Sequence, residues 1–157
     1  IGMPEYLLLF RKWEGDGKTP VPIRHYKTEE EAEKDGGDEK QVMDLEIWQR
    51  YASPVWFDIK RTDVLNCKSA KADKDEKHIC PLQLEVIRRA VKLWSNPGEI
   101  VLTPFLGIGS EAYVSLQEGR KAIGIDLKPS YYQQAVNNCK NAVIEDQVSL
   151  FEGIQEG

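Results

Sequence analysis

One stretch constrains this chain more than any other. Pro104-Phe-Leu-Gly-Ile-Gly-Ser110 is followed by Gly124-Ile125-Asp126. Before it lies Glu99-Ile-Val-Leu-Thr103, an apolar run with the length of a buried strand. After it, Ser110 to Glu118 reads as a helix, and Gly119 is a stop signal. Lys121 to Leu127 predicts a second strand, with Asp126 near its end. Strand, glycine turn, helix, strand and acid is the order in which a βαβ unit cradles a nucleoside ligand. The glycines let the backbone approach the ligand, and an acid about 20 residues on accepts hydrogen bonds from ribose hydroxyls.

The details argue against a dinucleotide. The turn reads G-x-G-S, without the third glycine that permits tight helix packing beside a pyrophosphate. A Pro-Phe pair opens the loop, giving one fixed φ and one aromatic edge. That suits a ligand with an adenosine and a compact charged end, and S-adenosylmethionine is the natural candidate. A plain structural βα turn is the alternative reading of the same spacing.

At 157 residues the chain is one domain of ordinary size, able to bury a core. Charged residues make up 30% and hydrophobic residues 41%, a composition expected of a soluble globular protein. No apolar run reaches the length of a membrane helix, and no signal peptide is evident. Cys67, Cys80 and Cys139 lack C-x-x-C spacing and a histidine in register. The expectation is therefore no metal site, no disulfide framework and a cytoplasmic location. The net charge of −5 argues against a protein that coats nucleic acid, while leaving room for a local basic face. The chain begins at Ile1 rather than Met, as a processed product or part of a longer polypeptide would.

Along the chain, Glu5 to Arg11 predicts a strand buried on both faces. Trp13 to Pro22 is rich in turn residues, and Thr28 to Lys34 predicts a short capped helix broken at Gly36-Gly37. A second short helix is expected over Gln41 to Tyr51, with Val42, Leu45, Ile47 and Trp48 partly buried. Lys60 to His78 reads as a solvated polar loop, or as a mobile segment that touches phosphates. Pro81 to Ser95 is the clearest helix, with Leu82, Val86, Ile87, Ala90, Val91, Leu93 and Trp94 on a broad apolar face. A further helix runs from Pro129 to Lys140, and Val148 to Phe151 predicts a last short strand.

Lys77-His-Ile-Cys-Pro-Leu-Gln83, Thr103 to Ser110, and Gly124-Ile-Asp-Leu127 with Tyr131 and Tyr132 together resemble the DNA amino-methyltransferases. These enzymes make N6-methyladenine or N4-methylcytosine. The motif order is similar to their permuted (beta) arrangement. Val55-Trp-Phe-Asp-Ile59 with Thr62 and Leu65-Asn66, and the strand ending Phe10-Arg-Lys12, look like phage and prophage DNA methylases. The resemblance implies a Rossmann-like α/β methyltransferase fold over residues 1–157. Residues 1–57 would be a strand with an irregular and helical insert, and 58–157 the cofactor-binding part. It also implies S-adenosyl-L-methionine as cofactor, DNA as partner and no metal.

Carried over, the cofactor residues are Cys80, Pro81, Leu82 and Gln83 at the methionine end, with Thr103, Pro104, Phe105, Gly107, Gly109 and Ser110 around the methionine and adenosine parts. Asp126 would hold the ribose. His78 lies beside the first group. Two departures stand out. Thr103 occupies the place where the family usually has aspartate, which implies weaker cofactor binding. The family's catalytic Pro-Pro-aromatic loop is absent, since no Pro-Pro occurs in the sequence. Ser53-Pro-Val-Trp56 is a look-alike in the wrong position, with Trp56 expected in the core. No catalytic residue is assigned. In the family's sheet the catalytic strand lies beside the cofactor strand, so an incomplete sheet with Val101 on an exposed apolar edge is expected. Such an edge invites a second copy or a complementing N-terminal half. A degenerate, non-catalytic interaction module is the other class of function. A small-molecule or RNA methyltransferase is a third, less matched beyond the glycine loop.

Overall fold

The computed structural model describes residues 5–10, 45–66 and 80–155, with side chains as far as Ala142. The expected elements between 11 and 44, together with Cys67, His78 and the lysines between 67 and 79, lie outside the described residues. Six elements follow in order: α1 (Leu45–Tyr51), α2 (Leu84–Trp94), β1 (Ile100–Thr103), α3 (Ser110–Gln117), β2 (Lys121–Gly124) and α4 (Pro129–Gln155). Among the described residues the sheet has two parallel strands, with Ile100 opposite Lys121 and Thr103 opposite Gly124. β1, α3 and β2 thus form the expected βαβ unit.

Local chemistry fixes the ends of each element. α2 starts at Leu84 rather than Pro81, because Gln83 is extended and Leu84 N–H donates to the Asp63 carbonyl at 2.8 Å. An orphan amide of the first turn is thereby satisfied by the preceding loop. At the other end the Ser95 hydroxyl and amide both donate to the Val91 carbonyl, at 2.6 and 3.1 Å. α3 stops at Gly119, where φ is +71°. Gly119 N–H donates to Leu116 O and Arg120 N–H to Ser115 O, the two bonds of a Schellman cap. The Arg120 guanidinium then ties this cap to the end of α2 through Ser95 O at 2.7 Å and Glu118 O at 2.5 Å.

The core lies between one face of the sheet and the helices. Ile87 and Val91 of α2, Tyr113 and Val114 of α3 and Ala142 of α4 pack together, with Val101 of β1 against them. A second cluster joins Leu106, Ala112 and Ala135, with Ala122 of β2. α3 and α4 approach closely at Gly109, whose φ is +91°. A Cβ there would sit 2.9 Å from Ala135 Cβ, so only glycine meets both demands.

Five expectations need correction. Residues 5–10 form no strand and are exposed, Tyr6 at 82% and Phe10 at 85%, because no described strand pairs with them. Among the described residues β1 is covered on one face only, leaving Ile100 and Leu102 exposed rather than buried. Leu45 and Ile47 of α1 are likewise exposed, and the helix is held instead through buried Tyr51. Val148 to Phe151 continues α4 rather than forming a strand, since no glycine or proline interrupts the chain from 130 to 152. Among the described residues no strand pairs with the outer edge of β1, and Val101 is half-buried rather than exposed.

Arg89 is fully buried on the side of α2 facing residues 51–58. Its Nη2 donates to Asp58 at 2.7 Å and its Nε to Glu85 at 2.9 Å. The guanidinium carbon lies 4.9 Å from the Tyr51 ring centre and 5.2 Å from that of Trp56. Trp56 is itself fixed by a 2.9 Å bond from Nε1 to the Tyr51 carbonyl. Its ring is partly buried and packs against the cation, which makes it structural. Arg50 also donates to Asp58.

Hydrogen bonds from Arg89 and Arg50 hold the Asp58 carboxyl well below the usual carboxylate range. Burial pushes the Glu85 carboxyl up, but Arg89 and Arg88 together bring it below its ordinary value.

Both carboxyl pKa values are depressed in the fold, so their stabilisation is present above the unfolded values of 3.8 and 4.5 and is lost as pH falls through the folded ones. Urea unfolding from pH 7 to pH 3 will therefore show declining stability, and Asp58→Asn will flatten that decline. Arg89→Ala, which strands two acids, will cost about 3–5 kcal/mol at pH 7. Gly109→Ala combines a left-handed backbone with a collision and will cost about 3 kcal/mol. Gly119→Ala, with nothing within 4 Å of a new Cβ, will cost about 1 kcal/mol in the same assay.

Candidate functional site

Both strands of a parallel pair end on the same side, and ligands of open α/β sheets bind outside those carboxyl ends. Here the two ends are knitted together by backbone bonds. Ile125 N–H donates to Thr103 O at 3.0 Å, and Leu106 N–H donates to Ile125 O at 2.9 Å. The Leu106 side chain lies against Gly124 so closely that a Cβ on that glycine would displace it. The glycine loop is thereby anchored at Leu106 before it turns through Gly107, with φ +54°, and Gly109.

Asp126 completes the closure. Its Oδ2 accepts from Gly107 N–H at 2.9 Å, and its Oδ1 accepts from Lys128 N–H at 2.7 Å. Each carboxylate oxygen retains further acceptor capacity, and the side chain is half-exposed. Asn138 of α4 supports the loop from behind, its Nδ2 donating to the Ile108 carbonyl at 2.8 Å. Sequence reasoning passed over Asn138; its place one helical turn after Ala135 was the signal available. Beyond the loop, α3 presents its N-terminal amides, with Gly109 as N-cap. Such an end favours a negative group. Glu111, in that first turn, has its carboxyl pushed up by burial.

The predicted residues fall into two groups. Thr103, Gly107, Gly109, Ser110 and Asp126 form one connected unit at the strand ends. Thr103 and Ser110 are buried in it, at 8% and 4% exposure, while Pro104 and Phe105 project from its rim, Phe105 at 85%. Cys80, Pro81, Leu82 and Gln83 lie on the segment entering α2, which is tied to Asp63. Cys80 and Leu82 are exposed, and Pro81 and Gln83 are half-buried. Among the described residues no cluster of histidine, cysteine and acid is arranged to hold a metal ion. No described helix is long and apolar enough to cross a membrane. An open apolar groove of about 420 Å³ runs behind the loop between β2, α3 and α4. Cys139 lines it, its thiol pKa pushed up by burial.

Comparison with known proteins identifies the family. The family model described as DNA methylase matches residues 2–137. The chain is 35% identical over 88 residues to the type II methyltransferase M1.MboII of Moraxella bovis, covering 55% of this chain and 32% of that protein. It is 30% identical over 131 residues to the type II methyltransferase M.MthZI of Methanothermobacter thermautotrophicus, covering 81% of this chain and 32% of that protein. In structure it is similar to a putative DNA modification methylase from Thermus thermophilus complexed with S-adenosyl-L-methionine. The TM-score is 0.51 at 27% identity, covering 76% of this chain and 39% of that one. The chain thus spans about a third of the length of these two curated relatives. With the family model matched over most of its length and the fold shared, the chain belongs to the DNA methylases, the N6/N4 amino-methyltransferase family.

Proposed function

We propose that this chain is the S-adenosyl-L-methionine-binding part of a DNA methyltransferase acting on an exocyclic amine, N6 of adenine or N4 of cytosine. The observation that carries the reading is the Asp126 carboxylate, joined to the glycine-loop amide of Gly107 while keeping acceptor capacity toward the open end of the strands. That is the arrangement a ribose diol and a nearby adenine require. The cofactor, when bound, supplies an activated methyl group on sulfonium.

The chain's own residues bind and orient. Asp126 accepts from the ribose hydroxyls. Gly107 and Gly109 keep the loop free of side chains where the ligand passes. The α3 amides beginning at Ser110 face its carboxylate. Phe105 and Pro104 cover the adenine, and Cys80 to Gln83 flank the methionine end. Thr103, in place of an acid, contributes no charge to the ammonium and lowers affinity. The base would be extruded from DNA to reach the methyl group. Catalytic positioning of its amine belongs to a Pro-Pro-aromatic loop that these 157 residues lack.

A non-catalytic interaction module is favoured by the threonine at 103 and by the absent Pro-Pro-aromatic loop, and the two readings separate on cofactor binding. Calorimetric titration with S-adenosylmethionine will give a Kd on the order of micromolar. Asp126→Ala will weaken it by about 100-fold through loss of charge-assisted bonds. A folded chain that releases no binding heat would leave the module reading. With tritiated cofactor and duplex DNA, the chain alone will transfer no label above background; transfer that scales with chain concentration would contradict the assignment of catalysis elsewhere.

A further inference from the structure

On the functional reading above, we propose that the Glu111 carboxylate receives the ammonium group of the cofactor's methionine end. The register places this side chain. Val101 and Thr103 lie two apart in β1, so they share the sheet face that packs under the helices. Val101 meets the cluster that holds Val114 of α3, and Thr103 is buried at the strand end. In a βαβ unit the helix runs back against its strand, so the start of α3 stands over the carboxyl end of β1. From Val101 to Thr103 the strand advances about 6.6 Å. From Val114 back to Glu111 the helix covers about 4.5 Å in the same direction. Glu111 therefore reaches the level of Thr103.

The helical wheel turns it inward. Glu111 precedes Val114 by three residues and Ser115 by four, so it lies on the side of α3 where those two are fully buried. The Ser115 hydroxyl donates to the Glu111 carbonyl at 2.7 Å on that side. Glu111 itself is half-buried, next to buried Ser110. Burial pushes its carboxyl up, and only its own amide acts against that. Neighbouring acids are engaged differently. Glu85, in the first turn of α2, is held by Arg88 and Arg89, and Asp126 by two amides. No arginine or lysine among the described residues offsets the charge of Glu111. A half-buried carboxylate without a cation is disfavoured, and an arriving cation relieves that cost. The methionine end brings one. Its carboxylate and ammonium share one carbon, so a carboxylate held by the α3 amides presents the ammonium to the same turn. Thr103 faces this point with a hydroxyl and no charge.

Calorimetry with two ligands tests the assignment. One is S-adenosylhomocysteine; the other is the same thioether lacking only the amino group. The wild-type chain will bind the first about tenfold or more tightly than the second, the discrimination expected of one charge-assisted bond. Glu111→Gln will weaken S-adenosylhomocysteine by about the same factor and leave the deaminated ligand within about twofold, so the preference disappears. Glu111→Ala, which keeps a strong helix former in α3, will do the same. Equal weakening of both ligands by both variants marks a disturbed loop and would overturn the proposal. So would a preference that survives both substitutions. In either case, binding of S-adenosylhomocysteine by the wild-type chain upholds the functional reading, whereas a folded wild-type chain that binds neither ligand overturns both.

Discussion

The structure depends most on one carboxylate. Asp126 receives the amides of Gly107 and Lys128, and so fastens the end of β2 to the glycine loop after β1 and to the entrance of α4. Without it, a partly buried loop amide would lose its partner, at a cost of about 1–3 kcal/mol. The backbone bonds from Ile125 to Thr103 and from Leu106 to Ile125 prepare this closure, and Asn138 braces it from α4. Strand register, loop shape and helix placement are therefore coupled at the point where a ligand would be held. The carboxylate that builds this closure is also the one proposed to accept from the ligand.

Away from the site, stability is organised around an ion rather than a large apolar core. Arg89 is enclosed by Asp58, Glu85 and two aromatic rings, and it anchors residues 51–58 to α2. A buried cation of this kind is tolerated because its partners are ionised and its ring neighbours offer their negative faces. Arg88 and Arg120 extend the pattern, joining α2 to the end of α3 through Glu118, Gln117 and Ser95. Polar latches thus fix the described helices on one face of the sheet; on the other, Ile100, Leu102 and Ile123 are exposed, with Lys121 in register beside Ile100.

The glycine loop and its contact with Asp126 were more legible in the sequence than the packing around them. Gly107, Gly109 and Asp126 announced themselves because a turn with positive φ and a strand-end acid have few substitutes. Gly119 as a helix stop was readable for the same reason. Arg89 was not: on a helical wheel it sits on the charged side of α2, and only the return of residues 51–58 buries it. Ile100 and Leu102 read as core because periodicity records apolarity, not whether a covering layer is present. Tyr6 to Phe10 misled in the same way, an apolar run without a described strand to pair with. Val148 to Phe151 misled through propensity; with no breaker upstream, α4 continues through it.

The central claim is that the glycine loop and Asp126 form a single cofactor-binding unit. Amide chemical-shift mapping of the labelled chain during titration with S-adenosylmethionine tests it most directly. The account predicts the largest shifts at Gly107, Gly109, Ser110 and Asp126, with Lys128 following because it shares the carboxylate. Shifts confined to the apolar groove behind the loop, or a spectrum unchanged at saturating cofactor, would contradict it.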